Sequence, residues 1–273
     1  MTDMPEIIKT LPGETINKAY DDLIHPAASG AGKTLGILAH AITAALSPLE
    51  IWSLNKEYNV KQIKAELEKS LSSVDPEKII SPEPYVAVPA IEAISYSINN
   101  KELCALYANL LAKSMVSDTK DKVHPAFVEI IKQLSPNDAL IFKECSTRNI
   151  IPAAKLSIIM IQKGLHMLGS APLQQLALDL VADISFSFIS EEQVRVSLDN
   201  LIRTGLLQLN DFSLEDEASY NFTKSSDVHL KLTERFHELN AIEPTADRIH
   251  IDRKCISVTA LGNLFREICI DGF

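Results

Sequence analysis

The sequence predicts a mainly α protein, with an N-terminal all-helical domain over residues 1–134 and an α+β, winged-helix-like domain over residues 135–273. Three observations carry this. Glycine is scarce, nine in 273 residues, while Leu, Ile, Ala, Glu and Lys abound, a composition that favours helix. Apolar residues in the first half recur at three- and four-residue steps, the repeat of a helix that buries one face. The second half places a short strand and a strand-like alternation among capped helices.

The first domain reads helix by helix. Residues 14–53 form helix, broken near Pro26 and Pro48. Within them TLGILAHAITAALSPLEIW, residues 34–52, is the most apolar stretch of the chain. Its length of 19 residues reaches the lower range of a membrane span, whereas His40 and Pro48 favour a buried central helix. Leu35, Leu38, Ile42, Leu49 and Trp52 are therefore the candidates for contact with a partner or a membrane. Residues 56–73 make an amphipathic helix with Val60, Ile63, Leu67 and Leu71 on one face. SPEPYVAVP, residues 81–89, reads as a proline-punctuated extended linker, and a short apolar helix spans 90–97. The next helix, KELCALYANLLAKSMV, is capped by Asn99 with Glu102 three residues on, placing Leu103, Leu106, Leu110 and Met115 inward. A helix from Pro125 then buries Phe127, Ile130, Ile131 and Leu134.

The second domain opens with Ser135-Pro136-Asn137-Asp138, a capping serine, a first-turn proline and an acid. Ser190 and Gln193 form a capping-box pattern ahead of a helix whose apolar face is Val194, Leu198, Leu201 and Ile202. Gly205 suits its stop. Leu206, Leu207 and Leu209 read as a strand. Ile249, Ile251, Ile256 and Val258 suggest a hairpin turning at Asp252-Arg253-Lys254. Thr259 caps a last helix with Leu261, Leu264, Phe265 and Ile268 inward. This order is that of a winged helix-turn-helix, with residues 210–248 as a long insertion in the wing.

Charge and motifs narrow the chemistry. The net charge of −10 argues against a sequence-independent nucleic-acid binder, which needs a basic surface to displace counterions. All seven arginines lie in the second half, and the would-be recognition helix sets Glu191, Glu192 and Asp199 against Arg195 and Arg203. Protein docking is thus the expected use of this region, and DNA contact through Arg195 and Arg203 is the alternative. The stretch HPAASGAGKTLG, residues 25–36, ends like a phosphate-binding loop. It has Ala27 where the first glycine belongs, no β-branched strand before it and no later partner acid. Small residues that let helices pack closely explain it better.

The seven histidines show no zinc-ligand spacing. His229 and His237, eight apart beside Glu234 and Glu238, read as a solvated helix face, and His124 as a structural hydrogen-bond group. Four widely spaced cysteines without C-x-x-C are expected to be buried, reduced thiols. With no signal-peptide pattern in the first residues, a cytoplasmic location follows. No nucleophile elbow or Cys-His signature appears. No catalytic residue, cofactor or metal is expected; a protein partner or a homo-oligomer is.

Several blocks together resemble one family. DDLIHPAASGAGKTLGILAHAITAALSPLEIWSLNKEY, PEPYVAVPAIEAISYSINNKELCALYANLLAKSM and KDKVHPAFVEIIKQLSPNDALIF are similar to the abortive infection alpha family, and VTALGNLFREICI resembles the end of such chains. The most specific parts are Pro48-Leu49-Glu50-Ile51-Trp52, the Pro89 to Met115 block, and His124-Pro125-x-Phe127 leading to Leu134-Ser135-Pro136. The resemblance implies a helical bacterial protein associated with phage defence, in which an infected cell disables itself. It brings no catalytic residue. With the apolar stretch 34–52 and the lack of a catalytic constellation, the expected function is a non-enzymatic component working through protein contacts, residues 34–52 being where a membrane contact at the inner membrane would lie. A winged-helix transcription regulator is the alternative.

Overall fold

A computed structural model describes residues 82–97, 99–160, 175–242 and 246–272, together with Leu67, Leu71, Val74, Asp75 and residues 78–80. The Gly32-Lys33-Thr34 stretch and Leu35, Leu38, Ile42, Leu49 and Trp52 lie outside these residues. The chain divides into two compact units. One takes the described residues up to Ala139 with those from Leu264 onward; the other is Leu140–Asn263.

The first unit is helical. α1 (Pro84–Ser97) begins six residues ahead of the expected helix, over the stretch that the prolines suggested was a linker. Pro84 occupies the first helical position, where no N–H is needed. Pro89 forfeits one internal hydrogen bond, but Val86, Ala87, Ala90, Ala93 and Ile94 are all buried, and that burial decides the conformation. α2 (Lys101–Ser114) is capped by Asn100, one residue later than the spacing of Asn99 and Glu102 implied; its side chain accepts the Leu103 N–H at 3.1 Å.

α3 (Ala126–Lys132) buries Phe127, Ile130 and Ile131. The C-terminal residues return to this unit. Phe265 meets Phe127 edge-to-face at 5.4 Å, Asn109 Nδ2 donates to the Cys269 carbonyl at 2.9 Å, and Lys113 Nζ donates to that of Gly272 at 3.1 Å. α4 (Pro136–Cys145) starts as predicted. The Ser135 hydroxyl accepts the Asp138 N–H, and the Asp138 carboxylate accepts the Ser135 N–H at 2.7 Å.

The second unit overturns the winged helix. Its elements run β1 (Ile151–Met160), β2 (Gln175–Ala182), α5 (Glu191–Arg203), β3 (Leu207–Asn210), α6 (Phe222–Ser225), α7 (Asp227–Ile242), β4 (Ala246–Val258) and α8 (Ala260–Phe265). The strands form one antiparallel sheet of order β2-β1-β4-β3. A helix-turn-helix needs a second helix between α4 and α5; among the described residues this chain has two strands there. β4 also runs unbroken through Asp252-Arg253-Lys254, which pair with Lys155, Ala154 and Ala153 of β1, so no hairpin turns at that point. The fold is α+β, not mainly α with a winged helix.

The physical reason lies in β1. IPAAKLSIIM is buried along nearly its whole length, and an apolar run of this kind becomes a central strand once helices and a second strand cover it. The segment between β3 and β4 carries α7, which packs Val228, Leu232, Phe236 and Leu239 against Ala154, Leu156, Ile158, Val181, Ile249 and Ile251.

Local signals around the sheet hold. Ser190 and Gln193 form a reciprocal capping box on α5, and Gly205 ends that helix at φ +77°, a conformation costly for other residues. The Thr259 hydroxyl accepts the Gly262 N–H at 2.9 Å and donates to the Gly205 carbonyl at 2.6 Å, tying α8 to the end of α5. Leu261, expected inward, is 36% exposed.

Candidate functional site

The second unit carries a cleft of about 210 Å³ between the end of β2, the first turns of α5 and α6. Val181, Val194, Leu198 and Phe222 supply its apolar lining, and Asp183, Glu191, Arg195 and Ser226 its polar groups. Each element delivers its residue for a local reason. The Ser190 box fixes where α5 starts, so Glu191 and Arg195 fall on the same side one turn apart. The Ser226 hydroxyl accepts the His229 N–H at 3.2 Å and donates to the Thr223 carbonyl at 2.7 Å, which sets the start of α7 with Asp227 at its first position.

The charged groups at this cleft are bound to one another. Arg195 grips Asp227 with two prongs, Nη1–Oδ1 at 2.7 Å and Nη2–Oδ2 at 3.3 Å. Lys231 reaches Oδ2 at 3.4 Å, and Glu191 Oε2 accepts the Asp227 backbone N–H at 2.8 Å. The Arg195 hydrogen bond holds the Asp227 carboxyl well below the usual carboxylate range. Partial burial, followed by the adjoining Asp227 side chain, pushes Glu191 upward. On the other wall Asp183 is held by Arg148, which donates to its carbonyl at 2.8 Å and lies 3.4 Å from Oδ2.

A second cleft, about 400 Å³, lies between the segment leading into α6 and β4. The Arg253 guanidinium covers the Tyr220 ring at 5.5 Å and donates to Glu217 at 3.0 Å. The Tyr220 hydroxyl donates to the Lys254 carbonyl at 3.1 Å and accepts the Leu214 N–H at 2.9 Å. These contacts fix the loop after β3 onto the sheet.

The sequence-predicted site residues fall as follows. Arg195 and Arg203 both lie on α5 and both engage their own chain: Arg195 takes Asp227, and Arg203 donates to Asn200 Oδ1 through Nε at 3.1 Å and Nη2 at 2.7 Å. The His124 imidazole Nδ1 accepts the Ala126 N–H at 3.1 Å, the structural bond expected of it. His229 lies beside Thr233 on α7. No group of three or more His, Cys, Asp or Glu among the described residues could hold a metal ion. All four cysteines are free and buried; burial pushes the Cys104 thiol up to about 11 and that of Cys145 to about 12. A thiol shifted this far is protonated and unreactive at neutral pH.

Sequence reasoning missed Asp227, which organises the first cleft. Its signal was present: Ser226-Asp227 opens a helix as a capping residue followed by a first-turn acid.

A model of the abortive infection alpha family matches residues 55–269, and the chain belongs to that family. No curated protein and no solved structure matches it. Among the described residues no helix is long and apolar enough to cross a membrane.

Proposed function

We propose that this member of the abortive infection alpha family works in defence against phage through protein contacts, as a non-catalytic component. The observation that carries this reading is the exposure of large apolar side chains in the second unit: Phe188 is 70% exposed, Val196 64% and Leu230 58%, while the charged groups at the first cleft are spent on one another. Phe188 precedes the Ser190 cap by two residues, Val196 follows Arg195, and Leu230 lies one turn beyond Asp227. Large apolar side chains left exposed on a folded unit suit protein contact, since such residues commonly mark interaction sites.

Plating a broad phage panel on cells with and without the gene, at native expression, tests the role. Protection is expected, and its absence across the panel would count decisively against it. The Phe188→Asp and Val196→Asp variants test the surface: folded protein with protection lost is expected, and undiminished protection would move the contact elsewhere. Membrane association rests on the apolar sequence 34–52. Flotation of the full chain with anionic vesicles tests that arm, and protein left wholly in the soluble fraction would remove it.

A further inference from the structure

The outward face of α5 carries residues that the helix itself does not explain. Val194, Ser197, Leu198 and Leu201 are buried on one side of it. Glu192, Val196, Asp199 and Arg203 follow one another at steps of four, three and four, and so form a single stripe on the opposite side. Val196, in the middle of that stripe, is 64% exposed. A β-branched residue gains little there, because its χ1 freedom is lost without burial in return. Glu192 lies in the first turn, where the helix dipole favours an acid. Asp199 lies beyond the reach of that effect, and aspartate is a poor helix former. Among the described residues neither Glu192 nor Asp199 meets a cation, whereas Asp183, Asp211, Glu217 and Asp227 each pair with one of their own chain. Arg203, at the end of the stripe, donates to Asn200.

We infer that this stripe docks a basic segment of a partner protein, one that sets a lysine or arginine on either side of an apolar side chain. The inference deepens the reading of the chain as one that acts through protein contacts, and rests on it. Charge complementarity selects the occupant. Glu192 and Asp199 are seven residues apart, about 10 Å along the helix axis, with Val196 between them. Two cations at that spacing, with an apolar group between, meet both acids and cover Val196 in one contact. Positions i and i+7 of a partner helix, with an apolar residue at i+3 or i+4, supply this pattern. The same two acids repel a phosphate backbone or an acidic surface, which adds specificity against the wrong partner.

The test titrates the full chain with a short amphipathic helical peptide carrying lysines at that spacing around a leucine. Its glutamate counterpart and a DNA duplex serve as controls, and amide shifts in nuclear magnetic resonance spectra locate the contact. The lysine peptide is expected to move the amides of residues 192–199, and the two controls to leave them in place. Glu192→Gln is expected to weaken the binding by up to about fivefold, the worth of one exposed ion pair. Asp199→Lys, which also brings a better helix former, is expected to weaken it further, with circular dichroism unchanged in both variants. No shift in α5 with the lysine peptide would overturn the inference. So would equal affinity in both folded variants, which would assign the binding to the overall acidity of the chain. A duplex that moves the same amides would also overturn it and give the face to DNA. Plating with phage separates the inference from the reading beneath it. Peptide binding that depends on Asp199, in a chain that gives no protection, would uphold the docking face and refute the defence role. Protection by the parent that Asp199→Lys leaves undiminished would overturn the face as the working contact while the defence role stands.

Discussion

Arg195 on α5 and Asp227 at the start of α7 are joined by two hydrogen bonds, 2.7 and 3.3 Å long, with the guanidinium 15% and the carboxylate 33% exposed. This pair fixes the starts of α5 and α7 to one another beside the first cleft.

Arg195→Ala leaves the Asp227 carboxylate half-buried without its main partner. A loss of about 1–2 kcal/mol follows, more than an exposed pair contributes and less than a fully buried one. The loss depends on pH. Asp227 is depressed in the folded state, so its stabilisation is present above the unfolded value of about 4 and fades as pH falls through the folded value. Denaturant melts of parent and variant should differ more at pH 7 than at about pH 2, the gap narrowing progressively once pH falls below about 4. An equal gap at both would assign the loss to packing.

Glu191 behaves in the opposite sense. Its folded value is raised, so ionising it costs the folded state more than the unfolded one, and the cost appears as pH rises above about 4. Glu191→Gln keeps an acceptor for the Asp227 N–H. It is expected to raise stability at pH 7 by on the order of 0.5 kcal/mol, given its exposure, and to leave stability unchanged at pH 3.5. Thermal melts at both values decide; a destabilised variant at pH 7 would show that the charge favours α5.

Gly262 has no room for a side chain. A Cβ there would overlap the Leu206 carbonyl oxygen and crowd Val258 Cγ1 at 2.8 Å. Backbone on one side and a packed strand on the other leave little to yield, so Gly262→Ala is expected to cost about 2–3 kcal/mol. A melt within experimental error of the parent would contradict the close seating of α8 on the end of α5.

Tyr107 is fully buried and its hydroxyl has no hydrogen-bond partner among the described residues. Burial, with lesser contributions from Glu129, Cys104 and Cys269, raises its phenol far above the ordinary range. Removing an unsatisfied buried hydroxyl while keeping the ring relieves a desolvation cost. Tyr107→Phe should therefore match or exceed the parent in a denaturant melt. A loss above 1 kcal/mol would reveal a partner such as a bound water.

What was legible in the sequence was local. Ser135 with Asp138, Ser190 with Gln193, Gly205 and Thr259 each act within a few residues, so their chemistry fixes the helix ends whatever lies further off. The misreadings had the opposite character. Proline spacing made residues 81–89 a linker, but the burial of Val86, Ala87 and Ala90 outweighed one lost hydrogen bond. Asp252-Arg253-Lys254 resembled a turn, but pairing with β1 carried the strand through it. The site was less legible still, since Arg195 and Asp227 stand 32 residues apart and nothing in either neighbourhood marks the other.

The sequence by itself determined the family, the capped helices and an acidic, helix-favouring chain, because capping and periodicity are properties of neighbours. Tertiary structure alone decided that residues 151–160 form the central strand of an α+β unit and that Arg195 serves Asp227. Strand pairing and ion pairing join residues distant in sequence, and their partners exist only once the chain has folded.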